Sequence, residues 1–544
     1  MFVPSRRRSR ARFARPNVLA EALEPRMLFN AITQENSLPG TPPSQWYIQP
    51  GKADLNIQGF ATDISVDQGQ TISFKINDTA SSPAYHLEMY RMGYYGGLGA
   101  RLVATIEPSA SQCLIAHQPD PVTDPATGLS DSGNWSVSAT WAVPLNATSG
   151  VYFANIVRND GLGKSRIPFI VRDDASHSDL LVQTSDATWQ AYNHYGTPEH
   201  PLAGQSLYEG IVQPHRAFAV SYNRPIVEGD YTSQWDNSFF FAEYPMVRFL
   251  EANGFDVSYF TDVDSDRYGS LIRNHKVFMS VGHDEYWSGP QRANVEAARD
   301  AGVSLAFFSG NEVSWKTRLA NSIDGSQTPD RTLVCYKESQ SLPAHDPADP
   351  PIATSLWRDP HFGPPADAGR PQNGLTGGLY TANWYNNGIA KGWNASINVP
   401  WTDAGLRFWR NTAIANLRPG QSYATAPGYL GYEWDEDIDN GFRPAGLMDL
   451  SSTALDVGGP YGQYGAGGKL IGDHGWYDKA YGTHSLTLYR ASSGALVFDA
   501  GTIQWSWALN GDQWGGGNDF HWYQSFETIR PVPVDRNLQQ ATVN

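Results

Sequence analysis

Four short apolar runs between residues 178 and 308 constrain the fold of this chain more than any other feature. Ser178–Thr184, Asp256–Phe260, Lys276–Val281 and Val303–Phe308 have the length of strands, are rich in Val, Leu and Phe, and are too continuously apolar to leave one face in water. Helical periodicity fills the gaps. One helix is predicted from Phe240 to Asn253, ended by Gly254, which accepts the left-handed conformation of a helix C-terminus. Another is predicted from Gly289 or Pro290, with proline in its first turn, to about Ala301. Strands of this kind alternating with helices predict an open parallel sheet with crossover helices, an α/β unit.

The stretch from Tyr47 to about Arg172 reads differently. Short β-rich segments at 71–76, 86–90, 150–157 and 167–171 alternate with turn clusters, a spacing that predicts an immunoglobulin-like β-sandwich. Within it, Tyr90–Gly97 reads either as a binding loop or as a tight hairpin packed by its tyrosines. Residues 350–530 are aromatic and Gly-rich, with strands expected at 485–489 and 495–498, and are expected to complete the α/β unit; a propeller is the minor alternative. The expected division is a basic arm 1–30, a linker 31–46, a sandwich 47–173, an α/β catalytic unit 174–530 and a tail 531–544.

A chain of 544 residues exceeds what one core can organise, and 12% aromatic with only 17% charged residues suits a strand-rich globular protein. The net charge of −16 conceals an arm, residues 1–30, with seven Arg and two Glu, so the rest carries −21. An acidic body of that size disfavours a phosphate-backbone partner, and the arm fits targeting better than nucleic-acid binding. It is not a standard secretory signal, since no apolar stretch follows the arginines. No run approaches the ~20 apolar residues of a membrane-crossing helix. Cys113 and Cys335 fall on different expected units and build neither a disulfide scaffold nor a thiolate metal site. Cys335, inside Thr332–Tyr336, reads as a small buried hydrophobe.

In open α/β sheets ligands gather at the carboxyl ends of the strands. There stand Asp186 through Tyr192, Asp262, the run Val281-Gly282-His283-Asp284-Glu285-Tyr286-Trp287-Ser288, and Ser309-Gly310-Asn311-Glu312. If the chain stays extended past Gly282, His283 and Glu285 face one side and Asp284 the other. The bland alternative is a turn in which Asp284 caps the next segment and His283 is a satisfied core histidine. No serine nucleophile elbow, His-Glu-x-x-His helix or deaminase cysteine pair is present. One His, several carboxylates, an Asn and many tyrosines favour a hard cation, beside which a phenol can ionise at neutral pH. A glycosidase using Glu285 and Glu433 as opposed carboxylates is a further possibility.

Trp189–Asn193, Ser206-Leu207-Tyr208, Gly282–Ser288 and Phe308–Glu312 resemble the catalytic domain of the N,N-dimethylformamidase large (beta) subunit. Tyr90–Gly97, Trp141–Pro144 and Ser149–Tyr152 resemble its sandwich, so the likeness spans roughly 47–530. The resemblance implies a glutamine-amidotransferase-like α/β domain. It also implies a mononuclear iron, expected as ferric, held by two tyrosines and a glutamate, and hydrolysis of a small amide to an acid and an amine. Carried over, Glu285 is the glutamate ligand, His283 the nearby histidine and Asn311 the oxyanion donor. Tyr192 and Tyr208 are the chosen tyrosines, with Tyr195 or Tyr222 as substitutes, and Glu433 is the candidate base. A small partner subunit, as in the family, or a homo-oligomer is expected. Leu23-Glu24-Pro25-Arg26 resembles an element found near the start of exported bacterial proteins, which implies an extracellular or cell-surface location. The rival function is a non-catalytic exported surface or carbohydrate-associated binding protein.

Overall fold

The four apolar runs lie side by side in one sheet of the computed structural model. It describes residues 30–49, 51–79, 84–109, 117–210, 216–227, 238–337, 345–349, 351–359, 369–383, 385–386, 389–390, 395–431, 433–456, 470–471, 476–477, 481–510 and 533–544. β1 (Leu180–Thr184), β2 (Val257–Thr261), β3 (Val277–Gly282) and β4 (Ser304–Ser309) run parallel in the order β2-β1-β3-β4. The C-terminal part extends this sheet: β5 (Thr487–Arg490) pairs antiparallel with β6 (Leu496–Asp499), and β6 adds parallel to β4. Phe278, Met279 and Val281 of β3 and Leu305, Phe307 and Phe308 of β4 are all buried, as strands covered on both faces require.

Short helices connect the strands. α1 (Asp186–Tyr192) follows β1, α2 (Glu243–Ala252) precedes β2, and α3 (Gly289–Asp300) precedes β4. α2 starts three residues later than Phe240, in a segment where Phe239, Phe240 and Phe241 pack into the core as a turn, and Gly254 beyond its end has φ +69°. The hydroxyl of Ser288 accepts from Gln291 N at the start of α3, with proline in the first turn, so Ser288 rather than Asp284 is the cap.

Ahead of this sheet, the strands Ile57–Ala61, Thr71–Asp78 and Ala139–Ala142 form a three-stranded sheet. Ser65–Asp67, Lys164–Arg172, Gly150–Arg158, Tyr85–Met92 and Ala100–Ile106 form a five-stranded one. Phe74, Ile76 and Trp141 from the first meet Leu87, Met89, Ile156 and Phe169 from the second in one core, each fully buried side chain contributing about 1.5–3 kcal/mol. The Gly-rich stretch is the tight connection between Tyr85–Met92 and Ala100–Ile106, with Tyr95 buried, as the hairpin alternative has it.

Residues 31–46 depart from the expected linker. They form the helices Ala31–Asn36 and Pro43–Trp46, with Ile32 and Trp46 buried, because Asn30 caps the first through Thr33 N and Pro43 opens the second. The expected tail likewise ends in a helix, Arg536–Val543, capped by Asp535 and anchored by Leu538 and Ala541. Residues 1–29 of the basic arm and Cys113 lie outside the described residues. The fold is thus mixed and strand-rich, with helices and several sheets. Among the described residues no helix is long and apolar enough to cross a membrane.

Candidate active site

At the end of β3, Gly282 has φ +94°, and a side chain there would press on Glu243 Cγ at 3.2 Å. The chain then leaves the sheet until Tyr286–Ser288, which pairs parallel with Trp315–Ala320. Across this short bridge the expected alternation holds. Asp284 turns inward, its Oδ2 accepting from Gln183 Nε2 at 2.7 Å and Ser280 Oγ at 2.8 Å. His283 and Glu285 face the opposite way, into a shared polar cluster.

Glu285 is the hub of that cluster. Its Oε1 accepts from Tyr192 Oη at 3.0 Å and from Tyr208 Oη at 2.5 Å, and its Oε2 accepts from Asn311 Nδ2 at 2.9 Å. The same Asn311 Nδ2 donates to Glu433 Oε2 at 3.1 Å. Glu433 Oε2 lies 2.5 Å from His283 Nε2, which stands 3.7 Å from Glu285 Oε1. The six residues singled out in the sequence therefore converge, from segments up to 241 residues apart in the numbering between Tyr192 and Glu433. The substitutes do not. Tyr222 Oη donates to Asp186 Oδ2 at 3.0 Å, and Tyr195 packs on Trp135 with ring centroids 6.2 Å apart.

Local structure explains each placement. Tyr192 is the last residue of α1, and Leu207 N donates to Ala191 O at 2.9 Å, which brings Tyr208 back over it with the two rings stacked at 4.0 Å. Asn311 adopts φ +53°, a conformation asparagine tolerates, and its backbone N–H donates to Asp435 Oδ1 at 3.0 Å. Gly310 before it must lack a Cβ, which would stand 2.8 Å from Glu433 O. Glu433 opens the strand Glu433–Glu436 of a separate four-stranded sheet.

Two participants were not legible as site residues. Tyr286 Oη donates to Tyr208 Oη at 2.5 Å, and Lys337 Nζ donates to Tyr286 Oη at 2.9 Å while lying 3.1 Å from the centroid of the Tyr208 ring. The available signal for Lys337 is a lone cation at the end of the buried run Thr332–Tyr336. Cys335 beside it is fully buried and burial pushes its thiol up to about 12, so it is inert, as its setting suggested.

Charge in the cluster is crowded. Burial alone would lower the imidazole of His283, but the carboxylates of Glu433 and Glu285 outweigh it and hold the group at about 9. Burial brings Lys337 down to about 8 against the pull of Glu285. Burial drives the Tyr208 phenol well above its ordinary value, with the Glu285 charge adding to it. A cation among these oxygens would reverse that last effect.

The donor set fits such a cation. His283, Glu285 and Glu433 each offer one ligand atom, all within 4.8 Å of one another, a grouping that could hold a metal ion. Tyr192 and Tyr208 crowd the same Glu285 oxygen at 3.0 and 2.5 Å, close to the ~3 Å separation of two ligands bound to one ion at about 2.0–2.2 Å.

No curated protein matches this sequence at a significant level. Residues 86–521 match the family described as "N,N-dimethylformamidase beta subunit-like, C-terminal". The chain belongs to that family, whose description is that of a dimethylformamidase-like hydrolase.

Proposed function

We propose that this member of the N,N-dimethylformamidase beta subunit-like family hydrolyses a small linear amide at the Glu285 cluster, using a resident metal ion held by Tyr192, Tyr208 and Glu285. The observation that carries the reading is the convergence of two phenols and an amide on one buried carboxylate, with a carboxylate–imidazole pair directly beside it. Iron in its ferric state is the ion that the phenol-rich donor set favours. When bound, it would polarise the amide carbonyl and favour ionised tyrosines.

The chain's own residues supply the proton chemistry. Glu433 takes a proton from the attacking water, and His283, 2.5 Å from the Glu433 carboxylate, delivers one to the departing nitrogen. The 2.5 Å contact between them allows the proton gained by Glu433 to pass to His283 and reset the pair. Water and amide thereby become acid and amine. Asn311 keeps both carboxylates in register, and its amide nitrogen is the donor closest to hand for the developing oxyanion. Burial of His283, Glu285, Asn311 and Glu433 keeps bulk water from competing with these contacts.

The glycosidase reading loses ground here. One Asn311 nitrogen already ties Glu285 Oε2 to Glu433 Oε2, and the family's description is that of an amide hydrolase. We further infer an immunoglobulin-like sandwich for the two N-terminal sheets and a glutamine-amidotransferase-like α/β arrangement for the parallel sheet. The shared core and the strand order β2-β1-β3-β4 support these assignments. The family's description as a beta subunit supports a partner subunit as part of this proposal, and the Leu23-Glu24-Pro25-Arg26 element is the ground for proposing export.

Amine release from a panel of formamides and acetamides tests the proposal. Turnover by the wild type that Glu285→Ala abolishes supports it. A folded protein that releases no amine from any member, with or without added iron, refutes it.

A further inference from the structure

The segment Gly310–Ser314 holds two non-glycine residues in the left-handed region, Asn311 at φ +53° and Val313 at φ +52°. Asparagine visits that region readily. A β-branched side chain does not, because its γ-carbons crowd the backbone, and such a residue persists only where its surroundings over-determine it.

Here they do. Val313 N donates to Asp284 O at 3.1 Å, and Ser314 N and Trp315 N both donate to Glu285 O, at 3.0 and 2.7 Å. The Val313 side chain is fully buried in a cluster with Trp287, Phe307 and Trp357, and Ser314 O accepts from Trp357 N at 3.0 Å. At the other end of the segment, a Cβ at Gly310 would stand 2.8 Å from Glu433 O, so only glycine fits against that strand, and Asn311 N donates to Asp435 Oδ1. The segment Gly310–Trp315 thus holds the backbone of Asp284 and Glu285 on one side and the strand of Glu433 on the other.

We propose that Val313 is a positioning residue. Its strained backbone, locked by its buried side chain, fixes Glu285 relative to Asn311 and Glu433, so that one amide nitrogen stays on both carboxylates. The valine cannot relax to an extended conformation without leaving its core pocket, so strain and burial together make a rigid spacer between the two halves of the site. The catalytic consequence rests on the amide-hydrolase reading of that site; the lock itself does not.

Val313→Ala and Val313→Gly separate the lock from packing, since both remove the γ-methyls but only glycine frees φ. Val313→Ala is expected to keep kcat within about threefold of wild type, whereas Val313→Gly loses about 10–100-fold at nearly unchanged KM. The glycine loss should vanish in an Asn311→Ala background, because Val313 acts through Asn311. Independently of turnover, the Ser314 and Trp315 amides should exchange with deuterium faster in Val313→Gly than in Val313→Ala. If glycine prevents folding, Val313→Asn, which favours the left-handed region rather than freeing φ, is expected to match Val313→Ala in exchange and kcat, and a loss as large as that expected for glycine would overturn the proposal. Equal exchange and equal kcat in the alanine and glycine variants would overturn the proposal, as would a glycine loss undiminished without Asn311. Unequal exchange in a protein that hydrolyses no amide would sink the function and leave the lock standing.

Discussion

Two buried polar networks in this protein handle charge in opposite ways. At the junction between the five-stranded sheet and α2, Arg91 grips Glu251 through two parallel contacts of 3.0 and 2.8 Å, with both side chains sealed from water. Tyr259 Oη and Asn36 Nδ2 complete the two carboxylate oxygens at 2.9 and 2.8 Å. Each negative oxygen there meets a guanidinium. Glu285 is as deeply buried, yet among the described residues its carboxylate accepts from neutral donors, two phenols and an amide, and His283 stands 3.7 Å away. A network built for stability neutralises its charge internally. The Glu285 network keeps its countercharges on His283 and Lys337, neither of them hydrogen-bonded to the Glu285 carboxylate among the described residues, so that the Glu285 oxygens stay open to a bound cation.

The contrast breaks if the two carboxylates respond alike to mutation. Arg91→Ala strands Glu251 without its counter-ion and should cost about 3–5 kcal/mol of stability, seen as a much lower Tm with activity lost only through unfolding. Glu285→Gln should reverse the pattern, losing amine release by about a thousandfold or more while Tm in metal-free protein shifts by no more than about 1–2 kcal/mol equivalent. Next in size, Glu433→Gln and His283→Gln are each expected to lower kcat by about 10²–10⁴, and the double variant to lose little more than the worse single one, since the two act as a pair. Lys337→Met should reduce turnover by about tenfold with stability held or raised, because a buried ammonium is removed from an aromatic site.

The smallest effect concerns pH and sharpens the comparison at a third carboxylate. Glu243, in the first turn of α2, accepts from Ser185 N and Trp189 Nε1 at 2.9 Å each and is pushed up by burial to about 8. A folded value above the ordinary 4.5 means that its contribution is complete below that value and is lost as pH rises through about 8. Wild-type Tm should therefore fall as pH rises from about 5 to about 8 and level off beyond it, and Glu243→Gln should flatten that fall. Parallel curves for the two proteins would contradict the assignment.

How much of this was legible in the sequence differed by element. The parallel sheet was readable because strands buried on both faces leave continuous apolar runs, and the predicted 276–281 and 303–308 differ from β3 and β4 by one residue at each end. The helices at 31–36 and 43–46 were not, because Asn, Pro and Ser serve equally as loop residues and as helix starters; only the tertiary burial of Ile32 and Trp46 decides. At the site, His283, Glu285 and Asn311 stood out because polar groups directly after buried strands have few other reasons to be there. The convergence of Tyr192, Tyr208 and Glu433 on Glu285 was not a matter of spacing, since it depends on how loops far apart in the chain fold back. Lys337 was hidden for the same reason: its role exists only once Tyr286 and Tyr208 lie beneath it.

Elemental analysis of the purified wild type beside the double variant Tyr192→Phe/Tyr208→Phe, each scored for amine release, tests the charge argument most directly. The account predicts about one iron per chain in the wild type, with metal and turnover lost together when both hydroxyls are removed. A metal-free wild type that still hydrolyses amides, or a double variant that retains its metal, would contradict it.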